Sequence, residues 1–208
     1  MKKTIVAFLG LIALTIATAP TPAAAVDGTP SMAGAYIQTV GLTSIPVGHA
    51  EYCGRHVADC APNSASSEMV TLTPELWDEL QLVNNSFNAA ITPARDIDLY
   101  GVDEFWTYPV NGYGDCEDFV IAKRAALIEL GWDASVLLIT VVRQADGEGH
   151  AVLTVRTDRG DLVLDNQDGL IQLWADTPYT FLKRQSQALA GQWVDLIDPR
   201  GGILVAQR

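Results

Sequence analysis

The sequence predicts an α+β fold, because helical periodicity is confined to the middle of the chain and the segment after it reads as strands joined by a tight turn. The helices come first. Thr73 stands as an N-cap, Pro74 suits the first helical position, and Leu76, Trp77, Leu80, Val83 and Phe87 recur at helical spacing, an apolar stripe for the core. After a connecting stretch from Ala90 to Tyr108, Asn111-Gly112-Tyr113-Gly114 reads as a flexible turn, and a second helix is expected from Asp115 to Leu130, stopped by Gly131. Ser135 to Val142 is a nearly unbroken aliphatic and β-branched run, the pattern of a buried strand. Strands over His150 to Arg156 and Asp161 to Asp165 flank the turn Thr157-Asp158-Arg159-Gly160 and should pair as an antiparallel hairpin, with His150 opposite or diagonal to Asp165. Residues from about Val26 to Ser67, rich in Gly, Pro, Ala and Ser, are expected to be irregular.

With 208 residues, 49% hydrophobic, and 25 acidic against 13 basic side chains, the chain is globular and carries a formal charge of −12. That balance gives no attraction to phosphate backbones or anionic lipid, so no nucleic-acid partner is expected. Gly112-x-Gly114 lacks a third glycine, a lysine and a preceding strand, so nucleotide binding is not indicated.

Lys2-Lys3 precede an apolar run from Thr4 to Ala19, followed by Pro20, Pro22 and Ala23-Ala24-Ala25. This reads as a signal peptide over 1–25, leaving 26–208 as a single domain delivered to the periplasm or secreted. A transmembrane anchor is the alternative, but the run is short for a hydrocarbon core of ~30 Å and lacks flanking charges at its end. No cysteine follows the cleavage site to carry a lipid, and no membrane insertion is expected after cleavage.

In an oxidising compartment the three cysteines become informative. Cys53 and Cys60, with six residues between them, are the local pair expected to form a disulfide. His49 and His56 lie nearby and raise zinc as a competing reading, although the spacing is not that of structural zinc and no second cysteine pair exists. Cys116 is then the free thiol to explain.

Cys116 falls in the first turn of the second helix, where unsatisfied N–H groups and the helix dipole favour a thiolate. His150 at a strand start can take its proton, and Asp165 on the neighbouring strand can fix the imidazole tautomer. Each has a plainer explanation: a buried apolar thiol, a satisfied core histidine, an acid at a strand end. Their joint placement favours acyl transfer by Cys116, His150 and Asp165. Asp115, Glu117 and Asp118 work against this, since their charge raises the thiol pKa. Either they are helix caps, with Asp115 as N-cap, Asp118 mimicking a capping box and Glu117 favouring the positive helix end, or the three acids and loop carbonyls hold a hard cation, Ca²⁺ being the best fit. The residues leave both open.

Gly114-Asp115-Cys116-Glu117-Asp118-Phe119, Gly149-His150-Ala151-Val152-Leu153 and Leu164-Asp165-Asn166 resemble the three catalytic blocks of the bacterial transglutaminase-like cysteine proteinases. Tyr100-Gly101-Val102-Asp103-Glu104-Phe105-Trp106 with Pro109 resembles the segment ahead of that family's cysteine, and the Cys53 to Cys60 loop resembles one found in many exported members. The resemblance runs from about Tyr52 to Val194. It implies a papain-like, transglutaminase-like fold with the cysteine-bearing helix packed on an antiparallel sheet carrying His and Asp, and calcium at Asp115 and Glu117. It also implies a protein substrate such as a surface adhesin, and inhibition by a membrane receptor for a cyclic dinucleotide. Two other functions fit the same residues. One is transglutamination, in which an amine replaces water at the thioester; the other is a non-catalytic calcium-dependent binding module.

Overall fold

The computed structural model describes residues 34–63 and 68–201; the expected signal peptide lies outside the described residues. In chain order the elements are β1 (Gln38–Thr43), α1 (Val47–Arg55), α2 (Pro74–Ala90), β2 (Thr92–Pro93), α3 (Asp96–Tyr100), β3 (Tyr113–Gly114), α4 (Cys116–Glu129), β4 (Leu137–Arg143), β5 (Gly149–Thr157), β6 (Gly160–Leu164), β7 (Gln172–Leu173), β8 (Thr180–Gln185) and β9 (Trp193–Ile197). A seven-stranded sheet runs in the order β1-β9-β8-β4-β5-β6-β7 and is antiparallel at every pairing. β2 and β3 form a separate parallel pair that sets Pro93 beside Gly114, just ahead of α4.

α2 begins as its sequence dictates, with the Thr73 hydroxyl accepting from the Leu76 N–H at 3.3 Å and Pro74 at the first helical position. α4 stops before Gly131, which takes φ +99°, a conformation that costs glycine little. α4 packs on α2, β4 and β5 and buries residues on every side, among them Glu117, Asp118, Lys123 and Arg124. The main core joins Leu80 and Val83 of α2, Val120, Ile121 and Leu127 of α4, and Ile139, Leu153 and Leu164 of the sheet. A second cluster covers the other sheet face with Ile37, Val142, Val152, Val163, Trp174, Phe181 and Leu196. With both faces covered, the central strands need no polar alternation, which accounts for their unbroken apolar runs. One buried charge group ties the sheet laterally: Asp161 pairs with Arg184 at 3.0 Å and Arg156 at 3.2 Å and accepts the Ile37 N–H at 2.9 Å.

Residues 26–67 differ from expectation where they are described. They contain β1, α1 and a 3₁₀ turn at Val57–Cys60 in place of irregular chain. α1 buries only Gly48, His49 and Tyr52, too few for a periodic signal. Its position comes from distant partners. Gly48 sits directly on the Trp106 indole, where a Cβ would clash. His49 packs 5.4 Å from Trp106 and 5.3 Å from Trp193, ring centre to ring centre, and its Nδ1 accepts from Trp193 Nε1 at 3.1 Å. Cys53 and Cys60 are disulfide-bonded, which leaves no thiolates for zinc. Ser135 and Val136 also depart from the expected strand: the Asp133 carboxylate accepts the Ser135 N–H at 2.9 Å and turns the chain into a short 3₁₀ segment before β4.

Opening the disulfide with Cys53→Ala and Cys60→Ala together should cost about 2 to 4 kcal/mol, read by urea unfolding of the double variant. His49 supplies a pH test. Burial, aided by Arg124, pushes its pKa down to about 4 from an ordinary 6.5. The unfolded chain therefore takes up a proton that the folded chain refuses. Stability is full above about pH 6.5 and is lost as the pH falls towards about 4, by on the order of 3 kcal/mol. In the variant His49→Phe, denaturant midpoints should fall less steeply across that interval than in the wild type.

Candidate active site

Cys116 is the first residue of α4, with Asp115 in the N-cap position in an extended conformation. Asp115 makes no side-chain cap bond. The Asp118 carboxylate accepts the Thr107 N–H at 2.9 Å through Oδ1 and is also met by the Asp115 N–H, the contact of a capping box. Capping thus accounts for Asp118 and leaves Asp115 and Glu117 to be explained. Gly114 is needed here, since a Cβ would lie 2.7 Å from the Asp118 carboxylate.

The Cys116 thiol is partly buried and donates to Glu117 Oε2 at 3.0 Å. Burial pushes its pKa well above the ordinary range and Glu117 and Asp115 add to the rise, while the Ala151 N–H, next along β5 from His150, bonds the sulfur and works the other way. His150 is the second residue of β5 and is buried. The hairpin register aligns Leu153 with Leu164, so His150 and Asp165 are diagonal neighbours, and His150 Nε2 lies 2.9 Å from Asp165 Oδ1. An ionised carboxylate only accepts, so Nε2 carries the proton and Nδ1 is the acceptor, met by the Gln167 side-chain amide at 3.4 Å. Burial opposes ionisation of Asp165, but His150, the Gln167 N–H and the Tyr179 hydroxyl together hold its carboxyl below the usual range.

The loop after β6 is fastened from α2. Asn88 donates to the Asp165 carbonyl at 2.8 Å and Asn84 to the Gly169 carbonyl at 3.2 Å. Asn84 in turn accepts from the buried Lys123 ammonium of α4 at 2.8 Å. The helix bearing the thiol and the loop bearing the carboxylate therefore share one polar chain.

Asp96, at the start of α3, joins Asp115 and Glu117 in a cluster with one oxygen from each within 4.8 Å of the others. Asp96 Oδ1, Asp115 Oδ1, Glu117 Oε1 and Asp118 Oδ2 are all buried without a hydrogen-bond partner. Burial, with mutual repulsion, raises the pKa of Asp115 and Glu117 and brings Asp118 to about 8. An all-oxygen, uncompensated donor set of this kind fits a hard cation such as Ca²⁺. The segment 104–107 straps the cluster in place: the Phe105 N–H donates to Asp96 Oδ2 and the Thr107 N–H to Asp118, while Arg55 of α1 donates to the Trp106 carbonyl from outside at 2.6 Å.

Cys116, Asp115 and Glu117 thus stand together at one helix start, and His150 and Asp165 touch. Sequence reasoning did not single out Asp96, Gln167, Tyr179 or Lys123. Asp96 lies far from Asp115 in sequence and belongs to a helix of only five residues, and Tyr179 follows Pro178 in a loop, so neither carries a periodic or motif signal.

The chain matches the model of the family described as bacterial transglutaminase-like cysteine proteinase BTLCP over residues 39–201. Among solved structures, calcium-bound LapG of Legionella pneumophila matches with a TM-score of 0.50 and 26% identity, covering 60% of this chain and 71% of that one. A second structure of Legionella pneumophila LapG matches with a TM-score of 0.50 and 26% identity over 63% of this chain and 74% of that one. A comparison with curated proteins finds no match. The family match over most of the chain, on a mixed fold whose large antiparallel sheet carries the cysteine-bearing helix, makes this protein a member of the bacterial transglutaminase-like cysteine proteinases, and so a cysteine peptidase.

Proposed function

We propose that the protein is an exported, calcium-dependent peptidase acting on a protein substrate, with Cys116 as nucleophile, His150 as base and then acid, and Asp165 as the group that orients the imidazole. The observation that carries this reading is the buried 2.9 Å contact between His150 Nε2 and Asp165. It leaves Nδ1 as the proton acceptor on β5, the strand against which α4 packs and whose Ala151 N–H meets the Cys116 sulfur.

His150 Nδ1 takes the thiol proton as sulfur attacks the scissile carbonyl, and the Cys116 backbone N–H, free at the helix start, donates to the developing oxyanion. The imidazolium then protonates the departing amine. Water, deprotonated by the same nitrogen, attacks the thioester and releases Cys116. Asp96, Asp115 and Glu117 would hold calcium, which supplies the positive charge that the buried carboxylates beside the thiol lack. The family resemblance supports a surface adhesin as substrate and a membrane receptor for a cyclic dinucleotide as inhibitor. Among the described residues no helix is long and apolar enough to cross a membrane.

Cys116→Ser and His150→Ala should each lower cleavage of a protein substrate by at least about 10³-fold with the fold intact by circular dichroism, whereas Asp165→Asn should leave residual turnover. A Cys116→Ala variant used as bait among exported proteins should retain the substrate, and an adhesin is expected. Full turnover in His150→Ala would remove the proposed base. For the metal, calorimetric titration of Ca²⁺ into chelator-stripped protein should give heat of binding, and Mg²⁺ should substitute poorly because it demands near-octahedral geometry. Asp96→Ala, Asp115→Ala and Glu117→Ala should each abolish that heat and reproduce the effect of a chelator on activity. A flat calorimetric trace for the wild type would end the calcium proposal.

A further inference from the structure

We propose that Tyr179 is a positioning residue for this reaction, its hydroxyl keeping the Asp165 carboxylate charged and aimed at His150. The inference rests on the reading of Cys116, His150 and Asp165 given above. Asp165 is buried, and its two oxygens are used unequally. Oδ1 receives His150 Nε2 at 2.9 Å and the Gln167 N–H at 3.0 Å. Oδ2 receives the Tyr179 hydroxyl at 2.5 Å. Without that hydroxyl, a buried carboxylate would keep one oxygen unpaired, and its remedies are to take up a proton or to rotate. Either one loosens its hold on the imidazole.

Tyr179 is suited to the task. Burial and the neighbouring Asp165 push its hydroxyl pKa far up, so it stays a donor throughout the working range. Its ring lies 5.4 Å from the His150 ring, centre to centre, closing one side of the imidazole. Tyr179 stands in the loop between β7 and β8, and that loop is pinned from the end of the described chain. Arg200 donates through Nη1 to the carbonyls of Trp174, Ala175 and Thr177 at 3.0, 2.8 and 3.1 Å and through Nη2 to that of Tyr179 at 2.8 Å. Its guanidinium also lies over the Trp174 ring, 4.5 Å from the centroid. One guanidinium thus gathers four carbonyls of the loop that presents the hydroxyl.

The charged and titratable groups facing this pair are His150 on β5, Lys123 on α4, whose positive charge reaches Asp165, and Asp168, whose negative charge reaches Tyr179. Tyr179→Phe removes one donor to Asp165 and keeps the shape of the site. Removing a donor from the charged form of Asp165 makes the carboxyl easier to protonate, which fixes the direction of the test.

The experiment follows hydrolysis of para-nitrophenyl acetate by the full chain in calcium-containing buffer between about pH 4.5 and 8, a range that brackets carboxyl and imidazole titration. In Tyr179→Phe, kcat should fall roughly tenfold with KM within about twofold, the loss expected for one hydrogen bond that matters to the transition state. The acidic limb of kcat/KM should move up by about half to one pH unit. Arg200→Ala should move the limb in the same direction and by less, since the hydroxyl is retained but its loop is freed. An unmoved acidic limb in Tyr179→Phe overturns the proposal, whatever happens to kcat, because loosened packing alone would leave the limb in place. Cys116→Ser separates the two readings. Turnover that survives in it defeats the nucleophile assignment itself, whereas lost turnover there with an unmoved limb in Tyr179→Phe defeats only the role of Tyr179.

Discussion

The constraint on which most of this structure depends is that α4 is buried on all sides although four of its buried residues, Glu117, Asp118, Lys123 and Arg124, are charged types. A helix of that kind cannot be accommodated by apolar packing alone, because each buried polar group costs free energy until it finds a partner. The partners it recruits are the other elements of the fold. Lys123 requires Asn84 of α2, Arg124 donates to the Leu137 carbonyl where β4 begins, and Asp118 draws in the Thr107 N–H. The first turn, with Cys116 and its flanking acids, is where this process stays incomplete. Three carboxylate oxygens there, and one of Asp96 beside them, remain buried without hydrogen-bond partners. Natural proteins keep such unsatisfied charge chiefly where a ligand or a reaction uses it.

Much of the fold was legible because two signals were local. The Thr73-Pro74 start of α2 and the Gly131 stop of α4 are properties of a few adjacent residues, and both act as the sequence suggests. The β5–β6 hairpin follows from Thr157-Asp158-Arg159-Gly160, and its register alone brings His150 to Asp165. Legibility fails where an element is held by distant partners. α1 has no apolar stripe of its own and depends on Trp106 and Trp193, so a composition rich in glycine and proline concealed a helix. β7, β8 and β9 are short or interrupted, and their place in the sheet is settled by β1, β4 and β6.

The site divides in the same way. The thiol, the imidazole and the carboxylate were readable from type and spacing, whereas the groups that support them were not. Asp96, Gln167 and Tyr179 reach the site from a five-residue helix and from loops, where nothing in the local sequence distinguishes a supporting residue from a solvated one. Lys123 would ordinarily be assigned to a helix surface, and only the burial of α4 reveals that it is internal.

The strap at 104–107 also bears on how the acidic cluster tolerates change. Asp96 and Asp118 are gripped by main-chain N–H groups, those of Phe105 and Thr107, and a main-chain donor is common to every residue type except proline. The side chains at 105 and 107 are therefore released from the task of holding the acids. Lineages of this protein can alter the outer surface of the strap, and with it whatever that surface meets, while the carboxylates beneath keep the same grip.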